Sequence, residues 1–240
     1  MKDRQLYRDT MKAPDLCFFT VTVKQTDLYI GATRDLTEKT LAIVSDYRQQ
    51  LEAYIQRHPQ FLHSLVPIEP LPEAPLIAVD MCHAAKLAGV GPMAAVAGAV
   101  SKFVGQELEQ NSREIIIENG GDLYLAGSRE RLVGIYAGSS PLSGRLAVRI
   151  DKATLPCGVC TSSGTVGHSL SFGRADAAIV LSKDASLADA CATALGNRVK
   201  SAEDIEKALE EIMGVPGVTG CLVIIGQSMG IKGEVELVRT

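Results

Sequence analysis

Apolar and polar residues alternate between residues 17 and 23, where threonines separate Phe19, Val21 and Val23. β-Branched and aromatic residues at a period of two are typical of a half-buried strand. A short polar break follows, and the apolar run at residues 28–32 predicts the returning strand of a hairpin.

Helical spacing begins after this hairpin. The sequence at residues 35–38, Asp-Leu-Thr-Glu, has a capping-box pattern, and apolar residues recur at helical spacing from Val44 to Ile55. Pro59 is expected to end this helix, and the proline-rich residues 59–75 predict a long connecting loop. A second helix is predicted from Pro92 to about Glu109, because proline suits the first helical turn.

The predicted helix at residues 92–109 has a small face of alanine and glycine, from Ala94 to Ala99. Side chains this small let another element approach closely. The face packs either inside the chain or against a second copy, so the sequence leaves a homo-oligomer open. Strands are then predicted at residues 113–118 and 123–126, with Gly120-Gly121 as the turn between them.

The second part of the chain gives a similar order. Further strands are predicted at residues 133–136, 146–150 and 177–181, and a final hairpin is predicted to join residues 220–226 to residues 233–238. Ser186 to Asp189 is predicted to cap a helix that ends near Val199. Ser201 to Asp204 is predicted to cap the next one.

Pairs of strands followed by pairs of helices predict an α+β fold, with antiparallel sheets and helices layered on one face. The order occurs twice although the sequence does not repeat. We therefore expect a single domain over residues 1–240, built from two similar halves at about 14–128 and 129–240.

Composition and charge narrow the class of protein. The net charge of −4 and the lack of a dense basic run argue against nucleic-acid binding. The charged start is unlike a signal peptide, and the longest stretch of low charge, residues 87–100, is too short to span a bilayer. A soluble, cytoplasmic protein is expected, and its six cysteines are then expected to be thiols.

Two groups of residues offer ligands for a metal or a nucleotide. Asp189 and Thr193 are four apart on a predicted helix, and a carboxylate beside a hydroxyl suits Mg²⁺. Asp189 could instead simply cap the first turn. The turn from Asn119 to Asp122 combines two glycines with polar neighbours, so its backbone N–H groups could face a ligand, although a plain hairpin has the same pattern.

The segment from Cys160 to Ser169 is rich in hydroxyls and glycine, so it could wrap a phosphate or bind a heterocycle, and its His168 could act as a general base. It could equally be a polar loop. The residues at 89–92, Gly-Val-Gly-Pro, could serve an anion at a helix start, but they lack a complete nucleotide-binding glycine pattern.

Cys157 and Cys160 form a Cys-x-x-Cys motif, for which three interpretations remain. Together with Cys82 and His83 they could bind zinc, but the spacing is unlike a compact zinc module. They could form a redox-active or sulfur-carrying pair, since this motif can lower a thiol pKa. They could also be ordinary small residues, as we expect for Cys191 and Cys221 in the core.

The order of several motifs resembles that of ApbE-type flavin transferases, and more closely a shorter ApbE-like branch. The resemblance covers residues 78–197. It rests on Glu-Asn-Gly-Gly-Asp at 118–122, Thr-Ser-Ser-Gly at 161–164, His168, and Ala-Asp-Ala-x-x-Thr-Ala at 188–194.

The resemblance implies a T-fold-like architecture and a protein that binds FAD or FMN with Mg²⁺ and transfers FMN to a protein target. It implies that Asp189 and Thr193 bind the metal and that Asp189 and His168 are catalytic. The implied nucleotide-binding residues are Asn119, Gly120, Gly121, Asp122, Thr161, Ser162, Ser163 and Gly164. A non-catalytic ligand-binding protein and a sulfur-handling protein that uses Cys157 and Cys160 remain the alternatives.

Overall fold

A computed structural model describes residues 8–9, 11–164 and 172–240. The strands within these residues are β1 Cys17–Val23, β2 Thr26–Ala32, β3 Ile115–Asn119, β4 Asp122–Ala126, β5 Arg131–Gly134, β6 Leu146–Ile150, β7 Cys157–Ser162, β8 Ala177–Ser182, β9 Val218–Ile225, β10 Ser228–Gly233 and β11 Glu236–Arg239. The α-helices are α1 Thr37–Arg57, α2 Gln60–His63, α3 Leu76–Ala88, α4 Val96–Leu108, α5 Ala185–Arg198 and α6 Ile205–Met213.

The strands form two antiparallel sheets. The central sheet has the order β1-β2-β3-β4-β7-β8-β9-β10, and the smaller sheet has the order β11-β6-β5. Neighbouring strands run antiparallel in both. The predicted α+β class with antiparallel sheets is therefore confirmed.

The central sheet has a different partner on each face. Ile115 and Ile117 of β3 pack into the larger core, which the helices complete, whereas Ile116 packs into a second core with the small sheet. Side chains alternate between the faces of a strand, so one apolar strand contributes to both cores. We call the two faces the helix side and the small-sheet side.

Several elements lie where the sequence predicts them. In β1, Phe19 and Val21 are buried and the intervening threonine is exposed. Helix α1 begins at Thr37, close to the predicted start. Its N-cap is Leu36, without a side-chain cap, so the predicted capping box at residues 35–38 is wrong, although Asp35 Oδ1 accepts the Thr37 N–H at 2.8 Å. The capping box from Ser201 to Asp204 is present before α6.

Helix α3 and strand β7 were not predicted. The residues of α3 are apolar on most sides, so they give little helical periodicity. Strand β7 consists of cysteine, glycine, valine, threonine and serine, and five of its six residues are buried. These mostly small side chains do not show the alternation of apolar and polar residues that marks a strand.

The predicted final hairpin is wrong. Strand β9 pairs with Ser228–Gly233, whereas Glu236–Arg239 pairs with β6 in the small sheet. Gly233 adopts a positive φ of 79°, and the chain changes sheets immediately after it. Strands β5 and β6 also belong to the small sheet, so they do not precede the helices α5 and α6 as a pair of the central sheet.

In the central sheet, four strands come from residues 17–126 and four come from residues 157–233. Helices lie between the two strand pairs of each set. The division of the single domain into halves at 14–128 and 129–240 stays a prediction.

Candidate functional site

The turn Asn119-Gly120-Gly121-Asp122, called here the glycine turn, joins β3 to β4 near the middle of the central sheet. Asn119 pairs with Asp122, and the two residues between them, Gly120 and Gly121, have φ of 68° and 105°. Other residues rarely adopt such values, so the paired glycines are required by the backbone. The predicted positive-φ turn is confirmed.

One backbone N–H of this turn is already used within the protein. The Gly121 N–H donates to Glu118 Oε1 at 2.8 Å, and Glu118 Oε2 accepts from Arg8 Nε at 2.6 Å. Glu118 is buried. The Gly121 N–H is therefore not available to a ligand in this arrangement, and the Arg8–Glu118 ion pair supports the turn from the small-sheet side.

Asn119 connects the turn to the helix layer. Its side-chain Nδ2 donates to the Ala97 carbonyl oxygen at 3.2 Å. Ala97 lies in the first turn of α4, so this bond fixes the start of that helix over the glycine turn.

Asp189 lies in the second turn of α5 and faces the same part of α4. Its Oδ2 accepts the Gly98 N–H at 2.8 Å. The cap of α5 is Asp184, which accepts the N–H groups of Ser186 and Leu187, so the alternative role of Asp189 as a cap is wrong. The helix therefore has its cap at Asp184, and the predicted cap from Ser186 to Asp189 is wrong.

Gly98 brings the two helices into direct contact. A Cβ at this position would lie 2.2 Å from the Ala185 carbonyl oxygen and 2.7 Å from Asp189 Cβ. On the same helix, a Cβ at Gly105 would lie 2.2 Å from the ring of Tyr124. The small face of this helix therefore packs inside the chain, against α5 and β4.

Asp122 joins the site from β4. Its Oδ1 accepts the Thr161 N–H at 3.2 Å, which links the turn to β7. Asp122 and Asp189 are both buried, with 7% and 8% of their surfaces exposed. The charge of Asp189 acts on Asp122, so the two carboxylates lie near one another on the helix side of the sheet, where water cannot screen their repulsion well.

Burial raises the pKa of both carboxyls, and repulsion from Asp189 adds to the shift of Asp122. For Asp122, burial is the main cause of a pKa well above the usual range, and the charge of Asp189 adds to it. Burial also raises the pKa of Asp189 to about 7, although hydrogen bonds from the backbone of Gly98 and Ala97 act in the opposite direction. A bound cation would reverse this preference and keep both groups ionised.

The charge of this pair is not balanced by an ion pair with any described residue. The nearby cations are engaged elsewhere: Arg8 binds Glu118, and Lys102 binds Asp80 and Asp184. A buried charge without a partner is costly. Two carboxylates at one position fit Mg²⁺, which takes one or two carboxylates together with phosphate oxygens and water.

The other predicted residues that the structure describes lie on α5 and at the end of β7. Thr193 follows Asp189 by one helical turn and is half-buried. Ser162 lies against α5, where a Cβ on Gly196 would be 3.3 Å from the serine Oγ. The Gly164 N–H donates to the Ala175 carbonyl at 2.9 Å. His168 lies outside the described residues, and its role stays a prediction.

The two cysteines of the Cys-x-x-Cys motif point to opposite faces of the sheet. Cys157 packs on the small-sheet side and Cys160 on the helix side, because they are three residues apart on one strand. Burial raises the pKa of Cys157 to about 11 and raises that of Cys160 well above its usual range. They form neither an adjacent nor an acidic thiol pair.

The predicted zinc alternative has no support in the described part of the chain. No cluster of three or more histidine, cysteine, aspartate or glutamate side chains suited to a metal is found there. Cys82 is buried, whereas the neighbouring His83 is exposed. Cys191 and Cys221 are buried in the core, as predicted.

The sequence did not reveal the contributions of Glu118, Ala97 and Gly98. The small face from Ala94 to Ala99 signalled close packing, but it did not identify Asp189 as the partner of Gly98. That contact joins positions 91 residues apart, and local periodicity carries no information about it.

Among the described helices, none is long and apolar enough by itself to cross a membrane. One pair, Leu76–Ala88 with Pro92–Leu108, meets the length and composition criteria only when the two are taken together, and it is bent by 102°.

Comparison with known proteins identifies the family. A family model described as "AbpE bacteria" matches residues 8–229. The chain belongs to this ApbE-like family. Its relatives include a UPF0280 protein of Methanococcus aeolicus, 46% identical over 199 residues, which is 80% of each chain. A UPF0280 protein of Methanocaldococcus jannaschii is 38% identical over 227 residues, or 92% of each chain.

Solved structures of the ApbE fold are similar to this member of the ApbE-like family. The flavinyl transferase ApbE of Pseudomonas stutzeri, in its apo form, aligns with a TM-score of 0.56 at 14% identity, covering 91% of this chain and 94% of that one. The flavin transferase ApbE of Vibrio cholerae aligns with a TM-score of 0.55 at 10% identity, covering 91% and 96%. This likeness establishes a shared fold, which confirms the architecture that the motifs implied.

Proposed function

We propose that the protein binds FAD together with Mg²⁺ and transfers the FMN part to a hydroxyl group of a protein target. The observation that carries the proposal is the buried pair of Asp122 and Asp189, whose charge no described residue balances with an ion pair. The pair lies beside a glycine turn that a large ligand can approach closely.

The protein's own residues would divide the work as follows. Asp122 and Asp189 hold the cation, and Thr193 adds a hydroxyl oxygen from the same face of α5. The Gly98 N–H fixes one oxygen of Asp189 and leaves the carboxylate in a single orientation. When bound, Mg²⁺ neutralises the charge of the two phosphates.

In the proposed reaction, the oxygen of the target hydroxyl forms a bond to the phosphorus of the FMN part. The bond from this phosphorus to the bridging oxygen breaks, and AMP leaves with that oxygen. The hydroxyl proton passes to a general base, the role that the resemblance implies for His168. The transfer changes no oxidation state, so it requires neither an oxidant nor a reductant.

The first experiment measures binding. FAD is titrated into the protein with Mg²⁺ and with EDTA, and its fluorescence is followed. We expect binding that requires the cation in the wild type and is weakened at least tenfold in Asp189→Asn. Equal binding by both proteins, or none at high micromolar FAD, would contradict the proposal.

The second experiment separates transfer from binding. A protein or peptide substrate with candidate serine and threonine residues is incubated with the protein, FAD and Mg²⁺, and its mass is measured. A mass increase equal to FMN minus water supports transfer. Binding with no mass change on several substrates would instead favour the alternative of a non-catalytic flavin- or nucleotide-binding protein.

The alternative of a sulfur-handling protein makes a different prediction. It requires Cys157 and Cys160 to act together, yet they lie on opposite faces of β7 with raised pKa values. We expect Cys157→Ser to leave FAD binding unchanged. Sulfide or persulfide transfer by the wild type that either Cys→Ser change abolishes would favour the sulfur-handling function.

A further inference from the structure

Lys102 lies at a junction of three helices, close to the site but outside the residues that the motifs identify. It belongs to α4, and 12% of its side chain is exposed. Its Nζ donates to Asp80 Oδ1 on α3 and to Asp184 Oδ2 at the start of α5, both at 2.7 Å. A single ammonium group therefore bridges two carboxylates from two other helices.

Further hydrogen bonds close this arrangement into a ring. Asp184 Oδ1 accepts the Ser186 N–H at 2.9 Å, and the Ser186 hydroxyl donates to Asp80 Oδ2. We call Lys102, Asp80, Asp184 and Ser186 the ammonium clamp. Each carboxylate uses both oxygens, so the clamp fixes the orientation of α5 as well as its distance from α4.

The clamp is adjacent to the contact that holds Asp189. Gly98 and Lys102 are four residues apart on α4, so they share a face. Asp184 immediately precedes Ala185, whose carbonyl lies against Gly98. The clamp and the bond from Gly98 to Asp189 thus hold α5 against α4 at two successive points.

We propose that Lys102 is a positioning residue, which sets the register of α5 on α4 and thereby holds Asp189 and Thr193 in the geometry that binds a divalent cation. This inference rests on the proposed function, because it assigns a task to Lys102 at the same site. Two of the three N–H groups of Lys102 donate to Asp80 and Asp184, so ion pairs within the protein hold the side chain in place.

The change Lys102→Met should affect the affinity for the cation in opposite directions, depending on whether Lys102 acts by positioning α5 or only through its charge. The change removes a positive charge and leaves two carboxylates near the cation site, so electrostatics alone would tighten cation binding. A loss of register would weaken it. The direction of the change in affinity therefore distinguishes the two effects.

The test is a titration with Mn²⁺ in the presence of FAD, followed by the electron paramagnetic resonance signal of free Mn²⁺, well below the unfolding temperature. We expect the Kd for Mn²⁺ to rise at least fivefold in Lys102→Met and to recover in part in Lys102→Arg. Asp184→Asn should also raise it, because asparagine keeps the helix cap but loses the ion pair.

The matched control is Arg131→Leu. Arg131 is also a cation with little exposure, 11% of its side chain, and it bridges two carboxylates, Asp15 and Glu114, but it belongs to the small sheet, away from α4 and α5. We expect the Arg131→Leu change to lower the unfolding temperature, whereas the Kd for Mn²⁺ should stay within twofold of the wild-type value.

Each result has a separate meaning. No Mn²⁺ binding by the wild type would overturn the proposed function together with this inference. Binding by the wild type with an unchanged or lower Kd in Lys102→Met would overturn the role of Lys102 alone, whatever the Kd of Asp184→Asn, because loss of the Asp184 charge weakens cation binding by electrostatics as well. If Lys102→Met does not fold, the Kd of Ser186→Ala decides, because this change removes a hydrogen bond of the clamp without altering its charge. A Kd within twofold of the wild-type value would then overturn the role of the clamp.

Discussion

At the scale of single residues, Asp122 and Asp189 are held by hydrogen bonds from neutral donors, and no ion pair with a described residue stabilises their ionised forms. The Thr161 N–H contacts one carboxylate and the Gly98 N–H contacts the other. Neutral donors orient a carboxylate, but they do not balance two buried charges as a cation does. The pair therefore has the properties of a binding site more than those of a structural contact.

The first prediction concerns stabilisation by the cation. A ligand that binds only the folded state at one hundred times its Kd adds about 2.7 kcal/mol to the free energy of unfolding. We expect Mg²⁺ to raise the unfolding temperature of the wild type and to leave that of Asp122→Asn and Asp189→Asn unchanged.

The control for this prediction is Glu234→Gln, a change at an exposed carboxylate. It should retain the full effect of Mg²⁺ in thermal unfolding monitored by circular dichroism. A response to Mg²⁺ that persists in both asparagine variants would show that the cation binds elsewhere.

The sequence revealed part of this site for identifiable reasons. The spacing of Asp189 and Thr193 predicts that they share a helical face, and the paired glycines predict a turn with positive φ. The cap was misassigned because Ser186 and Asp184 both suit a helix start, and local sequence does not decide between them. The part that Glu118 plays in holding the turn was not predicted, because its partner, Arg8, is 110 positions away in the sequence.

At the scale of elements, the contact between α4 and α5 governs the site. Both helices carry groups that face the glycine turn, and Gly98 lets them approach closely enough for a hydrogen bond between them. Without that approach, Asp189 would lose its backbone donor.

The second prediction tests this contact with Gly98→Ala. The new Cβ would collide with the Ala185 carbonyl, so the helices must separate. We expect a loss of about 1–3 kcal/mol in the free energy of unfolding and weaker Mg²⁺-dependent FAD binding. Urea unfolding and FAD titration measure the two effects.

Gly134→Ala is the control, because a Cβ there meets nothing within 4 Å and Gly134 has no positive φ. It should change the free energy of unfolding by no more than about 0.5 kcal/mol. Equal effects of the two substitutions would contradict the role assigned to the helix contact.

The third prediction concerns the ion-pair network that joins β3, β5 and the segment before β1. The hydrogen bond from Arg131 is the main cause of a lowered pKa for Asp15. Burial would raise the pKa of Glu114, but hydrogen bonds from Ser128 and Arg131 outweigh it and lower that pKa.

Because the folded-state pKa values are lowered, the unfolded chain binds more protons in acid. The stability from this network is therefore present above the unfolded-state pKa values and is lost as the pH falls through the folded-state ones. Urea unfolding from pH 7 to pH 3 should show a smaller acid loss in Arg131→Leu than in the wild type. An identical pH dependence of the two proteins would refute this.

The predicted elements succeeded where periodicity was strong. Strand β1 and helix α1 have clear alternation or helical spacing, and both were found. Helix α3 has too few polar residues to show a face, and β7 has small residues that do not stand out as a strand. The strand that pairs with β9 was predicted wrongly, because the chain leaves the central sheet after Gly233. The apolar residues on either side of Gly233 do not indicate this change of sheet.

At the scale of the whole molecule, one sheet separates two cores. The helix side contains the candidate site, and the small sheet covers the opposite face. The order of strand and helix pairs, together with the resemblance, predicted the central architecture. The small sheet was not predicted, because β11 and β6 are distant in sequence and meet only in the folded chain.

The fourth prediction uses the distribution of thiols between these cores. Cys17 is exposed, and the other five cysteines are buried. A thiol-reactive dye should label one cysteine of the native protein quickly and all six in urea, with Cys17→Ser abolishing the fast phase. Fast labelling of Cys157 or Cys160 would contradict the packing of β7 and reopen the alternative of a working thiol pair.

The most direct test of the central claim is a crystal structure with FAD and Mn²⁺ recorded at a wavelength where manganese scatters anomalously. We predict an anomalous peak between Asp122 and Asp189, about 2.1 Å from a carboxylate oxygen of each, as for oxygen ligands of a small divalent cation. FAD phosphate oxygens should complete its coordination. Bound FAD without a peak there, or a peak only at other residues, would contradict the account.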